Sequence, residues 1–177
     1  MNPILGITMG DGAGIGPEVI IKALADKRIY ELARPVVIGD YKIMQRALGI
    51  VKSDLQLRVI NDVTEAESEY GVIDVVDLNN LPVDLPFSQV SPVAGKAAYE
   101  YIERAVQYVQ AGKIHAIVTA PLNKEALHAG GKMFPGHTEI LAALSNTKDY
   151  SMMLVSEKLR VIHVTTHVQL RKACDLV

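Results

Sequence analysis

Short apolar runs without polar–apolar alternation constrain this chain more than any other feature. Pro3 to Met9, Pro35 to Gly39, Gly71 to Asp77 and Ile114 to Thr119 read as buried strands, and Gln56 to Ile60 as a further one. Stretches of helical period lie between them. Strands that lack a polar face are covered on both sides, so the expected class is α/β: a mostly parallel sheet with helices on both faces.

The first strand runs into alternating Gly10, Gly12, Gly14 and Gly16, after which Pro17 and Glu18 mark a helix start with Ile20, Ala23, Leu24 and Lys27 along it. A second helix is expected around Lys42 to Leu48, stopping at Gly49. Pro82 and Pro86 keep Leu78 to Val90 irregular. A long helix from Val93 carries Ala98, Ile102, Ala105, Val106 and Val109 on one side, pairs Glu100 with Arg104, and closes at Gly112. Ile114 to Thr119 is then expected to be the central strand. The helix after Thr138 carries Ile140, Leu141 and Leu144, and Ser151 to Ser156 and Leu159 to Thr165 suggest a hairpin turning at Glu157-Lys158.

A length of 177 residues suits one domain or one lobe of a longer protein. The final stretch, Leu170 to Val177, reads as the middle of a helix, so the sequence is expected to be part of a larger protein. A formal charge of −2 gives no general reason to expect nucleic acid or anionic lipid as a partner. The single cysteine, Cys174, excludes an internal disulfide framework. With no basic start to the opening apolar run and no segment long enough to span a bilayer, the expected compartment is the cytoplasm and no membrane partner is expected.

Loops at the carboxyl ends of parallel strands face one crevice, and the polar residues that follow strand 114–119 fall there. Asn123 and Lys124 have the chemistry to pair with a phosphate or carboxylate, or else simply start a helix. His137 and Thr138 stand where a helix begins, so amide groups, a hydroxyl and an imidazole converge on a site suited to a phosphomonoester; the alternative is that Thr138 only caps that helix. The glycine loop at 10–16 fits neither dinucleotide nor P-loop spacing, and is either a tight turn or a ligand contact. His163 and His167 are four apart in a strand-like context: His163 reads as a satisfied core residue, His167 as the better metal ligand. His115 and His128 read as structural or surface residues. No residue is assigned to proton transfer or to a cofactor.

Five segments, MGDGAGIGPEVI, SPVAGKAAYEYI, AIVTAPLNKEAL, FPGHTEIL and VTTHVQLRKA, resemble motifs of the 4-hydroxythreonine-4-phosphate dehydrogenases in order and spacing. Members of that family are close to double this length, so the resemblance implies the N-terminal part, residues 1–177, of a two-lobed dehydrogenase like isocitrate and isopropylmalate dehydrogenases. It also implies a homodimer whose active site is shared between subunits, NAD as cofactor, a divalent metal (zinc, or magnesium or cobalt), and oxidation of a phosphorylated hydroxy acid followed by decarboxylation. Within the motifs, His137 and Thr138 become substrate contacts and His167 a metal ligand. The other metal and substrate contacts of the family fall in later motifs, so this polypeptide alone is expected to be inactive. Gly12 and Gln169 replace common prolines, and VIHVTTHVQLRK is nearer the branch that oxidises D-threonate or D-erythronate 4-phosphate. Two other readings share the same residues: a phosphate acyltransferase of related fold, and a non-catalytic assembly module.

Overall fold

A computed structural model describes residues 2–165 and 168–177, which form two compact units, Met1–Ser145 and Asn146–Val177. In the first, β1 (Ile4–Thr8) leads to α1 (Gly16–Leu24) and α2 (Lys27–Leu32), and β2 (Arg34–Gly39) to α3 (Tyr41–Val51). Then come β3 (Gln56–Ile60), a 3-10 turn at Val63–Glu65, β4 (Val72–Asp77), α4 (Pro92–Gln110), β5 (Ala116–Thr119), α5 (Lys124–Ala129) and α6 (His137–Leu144). The five strands are parallel, in the order β3-β4-β2-β1-β5.

The strand expected at the centre is therefore at the edge. β5 starts at Ala116 and pairs with β1, from Leu5↔Ala116 to Thr8↔Thr119. Nor is it the buried strand expected, its residues being exposed or half-buried; β1 and β2 lie inside the sheet. Alternate residues of β5 separate the two faces. Ile117 packs with Tyr99, Ile102 and Val106 of α4, Leu127 of α5 and Ile140 of α6, whereas Val118 lies beside Val19 and Ala23 of α1. Helices thus flank the sheet on both sides, as the sequence implies.

Several local expectations are adjusted. The stripe through Ala23 and Lys27 breaks: Ala23 is exposed, α1 ends at Ala25, and the Asp26 carboxylate accepts from the Arg28 amide at 3.0 Å to start α2. The next helix does not stop at Gly49 but continues to Val51, whose side chain packs against the core, and ends at Lys52 with φ 52. A helical glycine costs about 1 kcal/mol, an amount that burying the following valine offsets. In α4, Ala98, Ile102, Ala105 and Val106 are buried but Val109 is exposed. Glu100 approaches Lys96 at 3.7 Å and accepts from Asn80 Nδ2 at 2.6 Å, rather than pairing with Arg104.

In the second unit, β6 (Met153–Val155) and β7 (Arg160–Ile162) form the antiparallel hairpin, shorter than its apolar runs, and α7 (Leu170–Ala173) follows. No helix among the described residues is long and apolar enough to cross a membrane.

Candidate active site at the ends of β1 and β5

Beyond Thr8 the chain turns through Met9, whose amide donates to the Ile38 carbonyl at 3.0 Å. Gly10 has φ 73, and a Cβ there would collide with the carbonyl of Pro121. Only glycine lets the loop after β1 lie against the loop after β5. The Asp11 amide then donates to the Pro121 carbonyl at 2.9 Å. The Asp11 side chain is 5% exposed and accepts from the Ala13 amide at 2.8 Å. Burial raises its pKa, and that one hydrogen bond opposes the rise. Gly12 and Gly16 are also crowded, by Leu81 and by the Met9 carbonyl, so the glycine loop is a close-packed turn.

At the end of β5, Asn123 caps α5, its Oδ1 accepting from the Ala126 amide at 2.9 Å. Its amide nitrogen stays free to donate elsewhere, and Lys124 beside it is exposed. Three contacts fix the following glycine loop. His128 Nε2 donates to the Phe134 carbonyl at 2.9 Å, and the Phe134 ring stacks on Tyr99 with centroids 6.0 Å apart. The Lys132 ammonium lies 3.9 Å from the centroid of the same tyrosine ring.

That anchored loop delivers Gly136 and His137 to the start of α6. The helix begins with Gly136 as its N-cap, so no side chain satisfies its first amides. Thr138 is its second residue and is not the cap. The His137 ring is half-buried and hydrogen-bonds to the Ala120 carbonyl; burial lowers its pKa, and that bond partly opposes the shift. Its Nε2 is buried without a hydrogen-bond partner.

His137 and Asp11 therefore hold successive carbonyls of one loop, the imidazole at Ala120 and the Asp11 amide at Pro121. Thr8 Oγ1, at the end of β1, and Glu18 Oε2, in the first turn of α1, are likewise buried without partners. Buried polar atoms nearly always find partners in a folded protein, so unmet capacity at the ends of adjacent strands is a signature of a ligand site. Asn123, Lys124, His137 and Thr138 all border the end of β5. His167 lies outside the described residues.

Two contributors escaped the sequence. Asp11 receives no assignment there, although an aspartate flanked by glycines at a strand end is itself a signal of a buried carboxyl. Arg46 gives no local signal. Its guanidinium donates to the carbonyls of Leu85 at 2.6 Å and Gly12 at 3.0 Å and stands 3.8 Å from the Phe87 centroid, fastening the irregular segment after β4 to the glycine loop. All three partners are distant in sequence.

The remaining histidines divide. His115 Nδ1 accepts from the Ile4 amide at 3.0 Å, and His128 holds its loop, so both are structural as expected. His163 is not a satisfied core residue, since its Nδ1 is buried without a partner. Among the described residues no group of three or more His, Cys, Asp or Glu side chains is arranged to hold a metal ion.

Known proteins resemble the chain along nearly all of its length. Residues 31–177 match the family described as pyridoxal phosphate biosynthetic protein PdxA. The D-threonate 4-phosphate dehydrogenase of Cupriavidus necator is 57% identical over 171 residues, covering 97% of this chain and 51% of that protein. The crystal structure of a 4-hydroxythreonine-4-phosphate dehydrogenase from Burkholderia phymatum superposes with a TM-score of 0.94 at 55% identity, covering 99% of this chain and 53% of that one. The enzyme of the same description from Klebsiella pneumoniae gives 0.92 at 44% identity, with 99% and 53% covered. The chain thus spans about half the length of the relatives it matches.

Proposed function

The chain belongs to the PdxA family, and from that premise we propose that it supplies the substrate-holding half of an NAD-dependent dehydrogenase acting on a 4-phosphorylated four-carbon hydroxy acid. The substrate is D-threonate 4-phosphate, for which the relative at 57% identity is named, or 4-hydroxy-L-threonine 4-phosphate, for which a solved structure at 55% identity is named. D-Erythronate 4-phosphate remains within the same substrate class. The observation that carries the reading is the open start of α6 with the unpartnered His137 Nε2 beside the end of β5. Helix-start amides favour a dianionic ester electrostatically, and the His137 ring, as an imidazolium, donates to it from Nε2.

In this reading, the Thr138 hydroxyl and the His137 ring hold the phosphate or the hydroxyl next to it. The free amide of Asn123 and the Lys124 ammonium complete the anion's surroundings. The buried floor of Gly10, Asp11 and Ala120 keeps these groups fixed before substrate arrives, which lowers the ordering cost of binding. NAD, when bound, takes the hydride released as the secondary alcohol becomes a ketone. The resulting β-keto acid then loses carbon dioxide. A divalent metal, zinc by preference, belongs to the proposal through His167; among the described residues no three His, Cys, Asp or Glu side chains are arranged to hold one. The shared homodimeric active site, the two-lobed organisation and the cytoplasmic location are proposed on the same family ground.

The test uses the chain as it stands. Titrating it with D-threonate 4-phosphate should shift the NMR resonances of the His137 ring and of the Gly136 to Glu139 amides, while unphosphorylated D-threonate should not. Absence of any shift at these groups with every 4-phosphorylated acid defeats the reading. A fusion of this chain to the remaining half of the Cupriavidus necator enzyme should reduce NAD with the phosphorylated substrate and lose that activity on substitution of His137 by alanine.

A further inference from the structure

Which nitrogen of the His137 ring is left for a ligand is settled by groups away from the ring. A carbonyl oxygen only accepts, so the ring nitrogen bonded to the Ala120 carbonyl carries a hydrogen. Nε2 is the atom buried without a partner, so the bonded nitrogen is Nδ1. The neutral ring therefore keeps its free lone pair on Nε2, and a proton taken up arrives there.

The Ala120 carbonyl is itself held by the loop after β1. The Ala120 amide donates to the Thr8 carbonyl at 3.1 Å, tying this residue to the end of β1. A Cβ on Gly10 would stand 2.9 Å from the Ala120 oxygen, so main chain packs directly on it. One residue on, the Asp11 amide donates to the Pro121 carbonyl at 2.9 Å. Asp11 is held in turn by its own side chain. Oδ1 accepts from the Ala13 amide at 2.8 Å, and the Gly14 amide closes the turn on the Asp11 carbonyl at 3.0 Å. Asp11 is 5% exposed and Ala13 3%, so water does not replace that acceptor when it is removed.

We infer that Asp11 is a positioning residue for His137: by closing the turn on the Ala13 amide, its carboxylate holds the Ala120 and Pro121 carbonyls where they fix the ring in its Nδ1–H form, with Nε2 left for the ligand. Asp11 touches neither substrate nor cofactor in this role. What the role needs is an acceptor oxygen at that place, not a charge. The use made of the fixed ring rests on the proposed part of His137 in holding the phosphorylated acid.

The test reads the ring directly in the chain as it stands. At pH 8, where the ring is neutral, NMR of the two ring nitrogens should show Nδ1 protonated and Nε2 bare. Asp11→Asn keeps an acceptor for the Ala13 amide and should retain that form. Asp11→Ala removes it, and the ring should pass into a mixture of tautomers. The Kd for D-threonate 4-phosphate should rise about tenfold in Asp11→Ala and no more than about twofold in Asp11→Asn. A parent ring in the Nε2–H form overturns the proposal without any variant, so the test survives a failure of Asp11→Ala to fold. Two other results overturn it: an Asp11→Ala protein that is less stable but keeps the parent's tautomer and affinity, and a folded Asp11→Asn protein that loses both. If no phosphorylated acid binds the parent while the tautomer still follows Asp11 as described, the substrate reading fails and the positioning role stands.

Discussion

A methyl group on Gly95 of α4 would overlap the carbonyl oxygen of Ala126 in α5. The helix that backs the sheet and the helix that follows β5 therefore touch backbone to backbone, and this contact sets where Asn123 and the loop leading to His137 begin. In an isolated helix, Gly95→Ala would stabilise by about 1 kcal/mol. Here the obstructing atoms are main chain and cannot rotate away, so overpacking of about 1–3 kcal/mol outweighs the propensity gain. Urea denaturation should show Gly95→Ala to be the less stable protein. A more stable variant would mean that α4 and α5 separate without cost.

Asp40 ties a second pair of segments together. Its carboxylate, fully buried, accepts from the amides of Lys42 at 3.0 Å and Ile43 at 3.3 Å and from Leu81 at 2.9 Å. It thus caps α3 and anchors the irregular segment after β4. Asp40→Ala removes all of these acceptors and should cost about 2–4 kcal/mol, combining a lost cap with a stranded buried amide. Asp40→Asn keeps one oxygen but turns an NH₂ toward an amide that needs an acceptor. Both variants should melt below the parent, with Asp40→Asn between the parent and Asp40→Ala.

Acid should reveal the Asp62–Lys113 pair. The ammonium donates at 2.6 Å, and this bond, reinforced by Thr64, holds the Asp62 carboxyl down to about 2 from an ordinary 3.8. With the folded value depressed, the pair's contribution is complete above 3.8 and disappears as pH falls from there to about 2. Lys113→Met should be less stable than the parent at pH 6 and indistinguishable from it near pH 2. The difference should shrink in high salt, because both groups retain contact with solvent. A gap between the two proteins that persists at pH 2 would assign the effect to packing of the lysine stem.

Strand and helix positions were legible because burial leaves a periodic trace in the sequence: β1 to β4, α4, α6 and the hairpin all lie where apolar runs and turn residues put them. Lateral strand order leaves no such trace, which is why β5 was expected at the centre. The division of α1 from α2 depended on Asp26 accepting from the Arg28 amide, a local cap that competes with an otherwise continuous stripe. At the site, His137 and Thr138 were recognisable from their place at a helix start and from their motif. Asn123 caps α5, the alternative that its residue type also allowed. Asp11 and Arg46 matter through contacts with segments far along the chain, and no window of sequence contains those.

His137 gives the most direct check on the site. Burial lowers its pKa, so at neutral pH the ring is neutral and its unpartnered Nε2 awaits a hydrogen bond. Because the unfolded chain binds this proton more readily than the folded one, stability should decline as pH drops below about 6.5, then level off once the folded value is passed. His137→Asn should flatten that segment of the stability profile. A bound phosphate dianion reverses the sign: it favours the imidazolium, so saturating phosphorylated ligand should raise the His137 pKa and bind more tightly at pH 6 than at pH 8, with proton uptake measurable by calorimetry in buffers of different ionisation enthalpy. Part of any change in affinity follows the ligand's own second ionisation, so the NMR titration of the ring is the deciding measurement. An unchanged ring pKa in the presence of saturating ligand would place the phosphate away from α6.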